Sequence, residues 1–337
     1  MRAGPALLGP LPPFETYDKG MHMADGMLGA SAPPLTPALR STPRSNLRRF
    51  ARQRSTLAFI MCLPLFFLIA GLIVYPFFYS IYLSMLNRDM TRFIGLFNYN
   101  YLLRSDTFHL VIFQSCLFAI TSVFLKAGIG FIMAHVMHNI TTKDQRIWRG
   151  LLLLPWVIPP ALSTLGFWWM VSGNYSAINW ILTQLGLHPI AWLANTWSAR
   201  LWVILVNVWF GTPFFMIMYL ATLKSVPEQL YEAAAIDGAT WVQRIRYVSL
   251  PMMRNIISIT VLFSLIVTFA NFDIVQIMTA GAPANTTHVF ATYAFQVGIG
   301  SGNIPMGAAV SLFIFPILAI FAVFILRGVG RRTREAV

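Results

Sequence analysis

Charge is the scarcest property of this chain. Of 337 residues only 10% are charged and only 11 are acidic, where a soluble domain carries about 25% charge. With 57% hydrophobic residues, that shortage excludes an ordinary soluble domain and points to an all-α integral membrane protein. Cysteine is nearly absent. Cys62 and Cys116 both sit inside apolar runs, so there is no disulfide framework and no cysteine metal motif. Lysine is rare too. None of Lys19, Lys126, Lys143 and Lys224 follows glycine in a phosphate-cradling G-x-x-x-x-G-K-[ST] loop, so ATP hydrolysis has no seat in this chain. There is no H-E-x-x-H string. His135 and His138, three apart, fit interfacial packing better than a metal site, and no metal or other cofactor is expected.

What is abundant is basic charge beside apolar runs. The net charge is +13. Basic residues that flank apolar runs fit membrane orientation, so no nucleic-acid partner is expected. Six stretches are long enough to cross about 30 Å of hydrocarbon as helices: approximately 57–84, 109–136, 148–172, 200–222, 255–279 and 304–327. Together they define a membrane domain over 56–328. Residues 1–55 read as a disordered tail, because Pro10, Pro12, Pro13, Pro33, Pro34, Pro37 and Pro43 break any helix and no apolar run intervenes. Residues 329–337 read as a short C-terminal tail. With the N-terminus inside, 19 of the 24 Lys and Arg residues fall in inside segments and 4 fall outside. This predicts both termini and the 223–254 loop on the cytoplasmic side.

That loop is the most informative stretch. Pro227 and Glu228 suit a first helical turn, and Glu232, Ala233, Ala234 and Ala235 favour helix. Asp237-Gly238 breaks it. Thr240 suits the cap of a second short helix carrying Trp241, Ile245 and Val248 on one face, which Pro251 is expected to stop. The reading is a bent helical knob with small side chains at its tip.

The string Glu232-Ala233-Ala234-Ala235-Ile236-Asp237-Gly238-Ala239, followed by Leu250-Pro251, resembles the EAA loop of permease subunits of binding-protein-dependent ABC importers. Further strings resemble the carbohydrate branch of that family. They are Phe93 to Tyr99 (FIGLFNY), Val206 to Phe214 (VNVWFGTPF), and Asn271-Phe272-Asp273-Ile274 with Met278-Thr279 and Gly281-Ala282-Pro283. Ala282 stands where the branch has a second glycine. The resemblance covers about 57–327 and is to permeases of the maltose and glycerol-phosphate type. It implies a six-helix importer permease fold in the bacterial inner membrane. It implies that the knob meets a cytoplasmic ATP-binding subunit dimer carrying ATP and Mg, through Glu232, Ala233, Ala234, Asp237, Gly238 and Ala239. It also implies a second homologous permease subunit and an extracytoplasmic solute-binding protein.

Polar groups inside the spans mark a path, since each is costly in lipid. Asn207, Phe210, Gly211 and Phe214 form one stripe of the fourth span; Ser264, Thr268 and Asn271 form one on the fifth. Aromatic faces, an amide and bare backbone suit a sugar, although small and polar residues also serve helix packing. The resemblance places Asn207, Phe210, Gly211, Phe214, Ser264 and Thr268 along the sugar site. Asp273 and Lys126 are the ionisable groups away from span ends; they are open to pairing with each other, to lining the path or to meeting the partner subunit. A mid-span lysine suits either an anionic solute or snorkelling to the interface. Trp180, Trp192 and Trp197 in the outer 173–199 loop suit an interfacial belt, with a docking surface as the alternative. Against a transport subunit stand a membrane enzyme, for which no span carries a pair of acids, and a self-contained transporter, for which no matched broken repeats occur.

Overall fold

The computed structural model describes residues 54–334. Residues 1–53 of the expected tail, and 335–337, lie outside the described residues. The chain divides into two units, Met1–Pro64 and Leu65–Val337. In the first, the described residues from Arg54 to Pro64 open helix α1, Arg54–Ile69. The second unit is described from here on.

Its elements are helical throughout the described residues apart from turns and one isolated bridge, Leu86 to Phe93. After α1 a π-helical turn at Ala70–Val74 leads into α2, Tyr75–Ser84. A short α3, Phe97–Leu103, precedes the long α4, Asp106–His138. Then come α5 (Thr142–Leu152), α6 (Leu154–Val157), α7 (Pro160–Val171) and α8 (Ala177–Gln184). Next are α9 (Thr196–Ser225), α10 (Glu228–Ile236), α11 (Trp241–Arg244) and α12 (Leu250–Phe269). The chain closes with α13 (Asp273–Met278), α14 (Phe290–Phe295), α15 (Ile304–Leu312) and α16 (Ile314–Arg334).

Among the described residues, five helical runs are long and apolar enough to cross a membrane: Met61–Ser84, Asp106–His138, Thr196–Ser225, Trp241–Phe269 and Ile304–Ile325. Four of the six expected spans match these runs, while the fifth, 255–279, stops at Phe269, ahead of non-helical residues 270–272 and the separate α13. The 148–172 stretch is broken into α5, α6 and α7 instead. The cause is local. Ile158 and Pro159 are extended, with ψ of 133° at both, because a residue before proline is pushed out of the helical region, and Ile158-Pro159-Pro160 imposes that twice. The α7 piece has 12 residues, a rise of about 18 Å, well short of the hydrocarbon thickness.

Two further expectations are corrected. Pro251 does not end the second knob helix. A π-helical turn at Ile245–Ser249 precedes it and Pro251 falls in the first turn of α12. The wider turn accommodates the missing N–H, so helix runs unbroken from Trp241 to Phe269. At the other end, helix continues to Arg334, through most of the expected C-terminal tail.

The core forms around α4 and α9. A Cβ on Gly130 of α4 would lie 2.5 Å from Phe215 Cβ on α9, and one on Gly211 of α9 would lie 2.4 Å from Lys126 Cδ on α4. Glycine at these points lets the helix axes close up. The two contacts are one turn apart on each helix and in the same direction, so α4 and α9 run parallel. Phe108, Ala119, Phe215, Met216 and Tyr219 fill this seam and the space around it.

Candidate functional site

The hairpin at 228–244 is built by local chemistry. Glu228 stands in the first turn of α10, where a carboxylate meets the positive end of the helix dipole. At the other end Asp237 is the C-cap and Gly238 has φ of 73°. Gly238 N donates to Ala235 O at 3.0 Å and Ala239 N to Ala234 O at 2.9 Å. This is the paired-bond helix stop that glycine favours, because a side chain there would strain the left-handed backbone. Thr240 then caps α11. Gln243 Oε1 accepts from Thr240 N at 2.7 Å, and the Thr240 side chain accepts from the Gln243 backbone. Arg244 Nε donates to Ala239 O at 3.0 Å, and Tyr231 Oη pairs with Ser249 Oγ at 2.9 Å. The bend is thus braced from within.

Its outer surface is bare. Glu232, Ala233, Asp237 and Gly238 are exposed, while Ala234 and Ala239 are half-buried. Ile236 is 88% exposed, beside exposed Trp241 and Val242. Clustered apolar exposure on a rigid bend marks a protein-contact surface. A cavity of about 500 Å³, lined by His135, His138, Lys224, Tyr231 and Arg244 among others, separates the hairpin from the C-terminal ends of α4 and α9. The hairpin is therefore carried on its stems, and its second stem is the unbroken run into α12.

The intramembrane residues converge where α4, α9 and α12 meet. Lys126 is buried at 3% exposure. Its Nζ donates to Thr268 Oγ1 at 2.9 Å, and Thr268 Oγ1 donates to Ser264 O at 2.6 Å. Lys126 therefore neither snorkels nor pairs with Asp273, which is exposed at the start of α13. Asn271 Oδ1 accepts from Ile274 N at 3.3 Å and helps to start that helix. Asn207 is buried, and among the described residues its Oδ1 has no hydrogen-bond partner. Phe210 and Gly211 keep partial exposure. Phe214 packs against Trp156 at 5.8 Å and Phe263 at 5.3 Å between ring centroids. The two polar stripes are thus brought together, with Asn207, Ser264 and Thr268 turned inward and Phe210, Gly211 and Phe214 nearer the surface.

Side chains outside the expected set also hold the segments between the spans. Asn98 Nδ2 donates to Ser84 O at 2.8 Å and Leu86 O at 2.9 Å, and Tyr99 Oη pairs with Ser84 Oγ at 2.7 Å. The FIGLFNY string is therefore a clamp on the end of α2. Asn179, fully buried, closes the 173–192 loop. Its amide donates to Gly173 O and Ile190 O, and its oxygen accepts from Ile190 N and Trp192 Nε1. Trp192 serves that clamp, while Trp180 and Trp197 are exposed. A lone Asn between apolar residues gives no periodic signal, which is why pattern reading passes over it.

Comparison with known proteins bears on the whole assembly of elements. The model of the family described as binding-protein-dependent transport system inner membrane component matches residues 126–335. The chain is similar to the trehalose/maltose transport system permease protein of Thermococcus litoralis, at 31% identity over 84% of this chain and 96% of that one. It is also similar to the maltose/maltodextrin transport system permease protein of Vibrio vulnificus, at 32% identity over 66% of this chain but 45% of that longer one. In fold it is similar to a chain in the crystal structure of a bacterial ABC transporter involved in import of the acidic polysaccharide alginate. There the TM-score is 0.74, with 22% identity, over 85% of this chain and 99% of that one. The knob, the clustered spans and these likenesses lead to one statement: the chain belongs to the family of inner-membrane permease components of binding-protein-dependent ABC importers.

Proposed function

We propose that this subunit imports a sugar or sugar-like solute by alternating access, driven through the 228–244 hairpin. A second homologous permease subunit completes the path. A separate dimer of ATP-binding subunits grips the hairpin on the cytoplasmic side and carries ATP and Mg. An extracytoplasmic binding protein delivers the solute. Both termini lie in the cytoplasm of a cell whose inner membrane holds the complex.

The observation that carries this reading is the unbroken helix from Trp241 to Phe269. A push on the exposed bend at Gly238 passes through Ala239 and Thr240, which Arg244 and Gln243 brace, and from Trp241 onward reaches Thr268 along one helix. The solute-facing stripe is Asn207, Phe210, Gly211 and Phe214, supported by the partnerless Asn207 Oδ1 and by rings suited to the C–H faces of a sugar. The names of the maltose and trehalose relatives favour a neutral sugar. Lys126, turned inward onto Thr268, adds no argument for an acidic solute.

The test is purification of the complex with its neighbouring subunits, followed by a screen of solutes for binding-protein-stimulated ATPase activity. Gly238→Pro removes the N–H bonded to Ala235 and cannot adopt positive φ. Uptake is expected to fall at least tenfold while the protein still inserts and assembles. Normal uptake in that variant overturns the coupling role. Asn207→Ala is expected to weaken solute affinity with ATPase assembly intact; unchanged affinity moves the solute site to the partner permease.

A further inference from the structure

Lys126 carries a buried amino group inside the subunit, and the three helices around it offer no acidic partner beside it. Neither α9 nor α12 contains an Asp or Glu, and α4 has only Asp106 at its far end. Among the described residues its hydrogen-bond partner is the neutral Thr268 Oγ1. A buried amino group with so few acceptors is costly, and any second set of acceptors within reach competes for it.

Such a set lies one turn away. The Gly130–Phe215 and Gly211–Lys126 contacts fix the register of parallel α4 and α9. Continued one more turn toward the N-termini, that register sets Ser122 of α4 opposite Asn207 of α9. Both are buried, and among the described residues both Ser122 Oγ and Asn207 Oδ1 lack a hydrogen-bond partner. A helical side chain leans toward the turn before its own Cα, so the Lys126 stem already points to that level. Gly211, without a side chain, lets the stem lie directly against the α9 backbone that carries Asn207 one turn before.

We propose that Lys126 is a two-berth latch. In the state seen here its Nζ holds Thr268 and ties α12 to α4. In the alternate state it moves to Ser122 and Asn207 and releases α12. Because α12 is continuous with the hairpin helix, the hairpin drives the exchange. The latch is a two-position element of the kind a conformational cycle needs, since packed seams switch between arrangements and do not deform gradually. It makes Lys126 a positioning residue. The inference rests on the alternating-access reading and adds the intramembrane step to it.

The test uses the assembled transporter in lipid nanodiscs, without solute, with Cys62 and Cys116 replaced by serine. Spin labels at Asp106→Cys and Asp273→Cys, both exposed, report by electron–electron resonance the separation between the start of α4 and the start of α13, just past the end of α12. Thr268→Val removes the first berth and is expected to enrich the separated population about fivefold, the usual worth of a hydrogen bond. Asn207→Leu with Ser122→Ala removes the second berth and is expected to deplete it by a similar factor. Thr268→Ser keeps the hydroxyl and is expected to match the parent. Lys126→Met, close in volume, is expected to erase both shifts when combined with either change. Shifts of the same sign in the two berth variants, or shifts that persist in the Lys126→Met background, overturn the latch. Absence of any nucleotide-dependent change in the parent overturns the alternating-access reading itself.

Discussion

The hairpin and the α4–α9 seam are opposites in how they place polarity. The hairpin turns Ile236, Trp241 and Val242 outward and bonds its own polar groups internally. The seam turns Gln114, Ser122, Lys126 and Asn207 inward and leaves the first two and Asn207 Oδ1 without partners. Each arrangement is incomplete in its own way. Exposed apolar surface on a rigid bend lacks a partner protein. Buried polar atoms on a close-packed seam lack acceptors and donors that a different arrangement of the helices can supply. In the proposed cycle the hairpin, stiff and bonded within, receives the force, and the seam, tightly packed but with unpaired polar atoms, responds.

That contrast breaks most visibly if the two regions are given side chains of the opposite kind. Gly130→Leu forces a side chain into the 2.5 Å gap to Phe215 Cβ, with Met216 N at 3.1 Å. Backbone lies behind the contact, so relief requires moving a helix. Overpacking of this kind costs about 1–3 kcal/mol, and the expected result is a lowered Tm and loss of detergent-soluble yield. Ile236→Ser on the hairpin tip touches an 88% exposed residue and is expected to leave the Tm of the isolated chain unchanged while weakening capture of the ATP-binding subunit. If both changes acted on stability alike, the division between receiving and responding regions would be wrong.

Much of this division is legible before any coordinates. Small residues at 232–239 and a helix stop at Gly238 follow from propensity, and the bend forms where Asp237-Gly238 places it. The stripe of Asn207, Gly211 and Phe214 follows from helical spacing. What pattern cannot carry is the partner across the gap. Lys126 reads as a snorkelling or solute-binding residue until α12 brings Thr268 beside it. Pro251 reads as a stop until a π-helical turn absorbs it. The six-span count rests on apolar length alone, and apolar length is blind to the backbone break that Pro159 and Pro160 impose. Clamps such as Asn98 are single residues whose acceptors, Ser84 O and Leu86 O, lie a dozen positions away.

The Asn98 clamp sharpens the comparison at intermediate size. Asn98→Ala leaves two carbonyls at the end of α2 without their donor, an expected loss of about 1–3 kcal/mol seen as a lower Tm. Asn98→Asp, which cannot donate, is expected to be no better. Transport by the molecules that remain folded should be near normal, because the clamp belongs to neither the hairpin nor the seam.

The smallest expected effect concerns His288, buried outside the spans. Its Nδ1 pairs with Thr292 Oγ1 at 3.0 Å. Burial pushes the imidazole below its ordinary value of 6.5, against a smaller upward pull from Gln296. A base whose folded value is depressed is stabilised in its neutral form. Its contribution is therefore full above the unfolded value, near 6.5, and is lost as pH falls below it. The expected outcome is a Tm that declines from pH 7 toward pH 5, with a shallower slope in His288→Gln. The hairpin contains no histidine, so capture of the ATP-binding subunit should not follow the same curve. A common pH dependence for Tm and capture would mean that the outer segment and the hairpin are energetically linked, and the separation drawn between the regions would have to extend along the full length of α12.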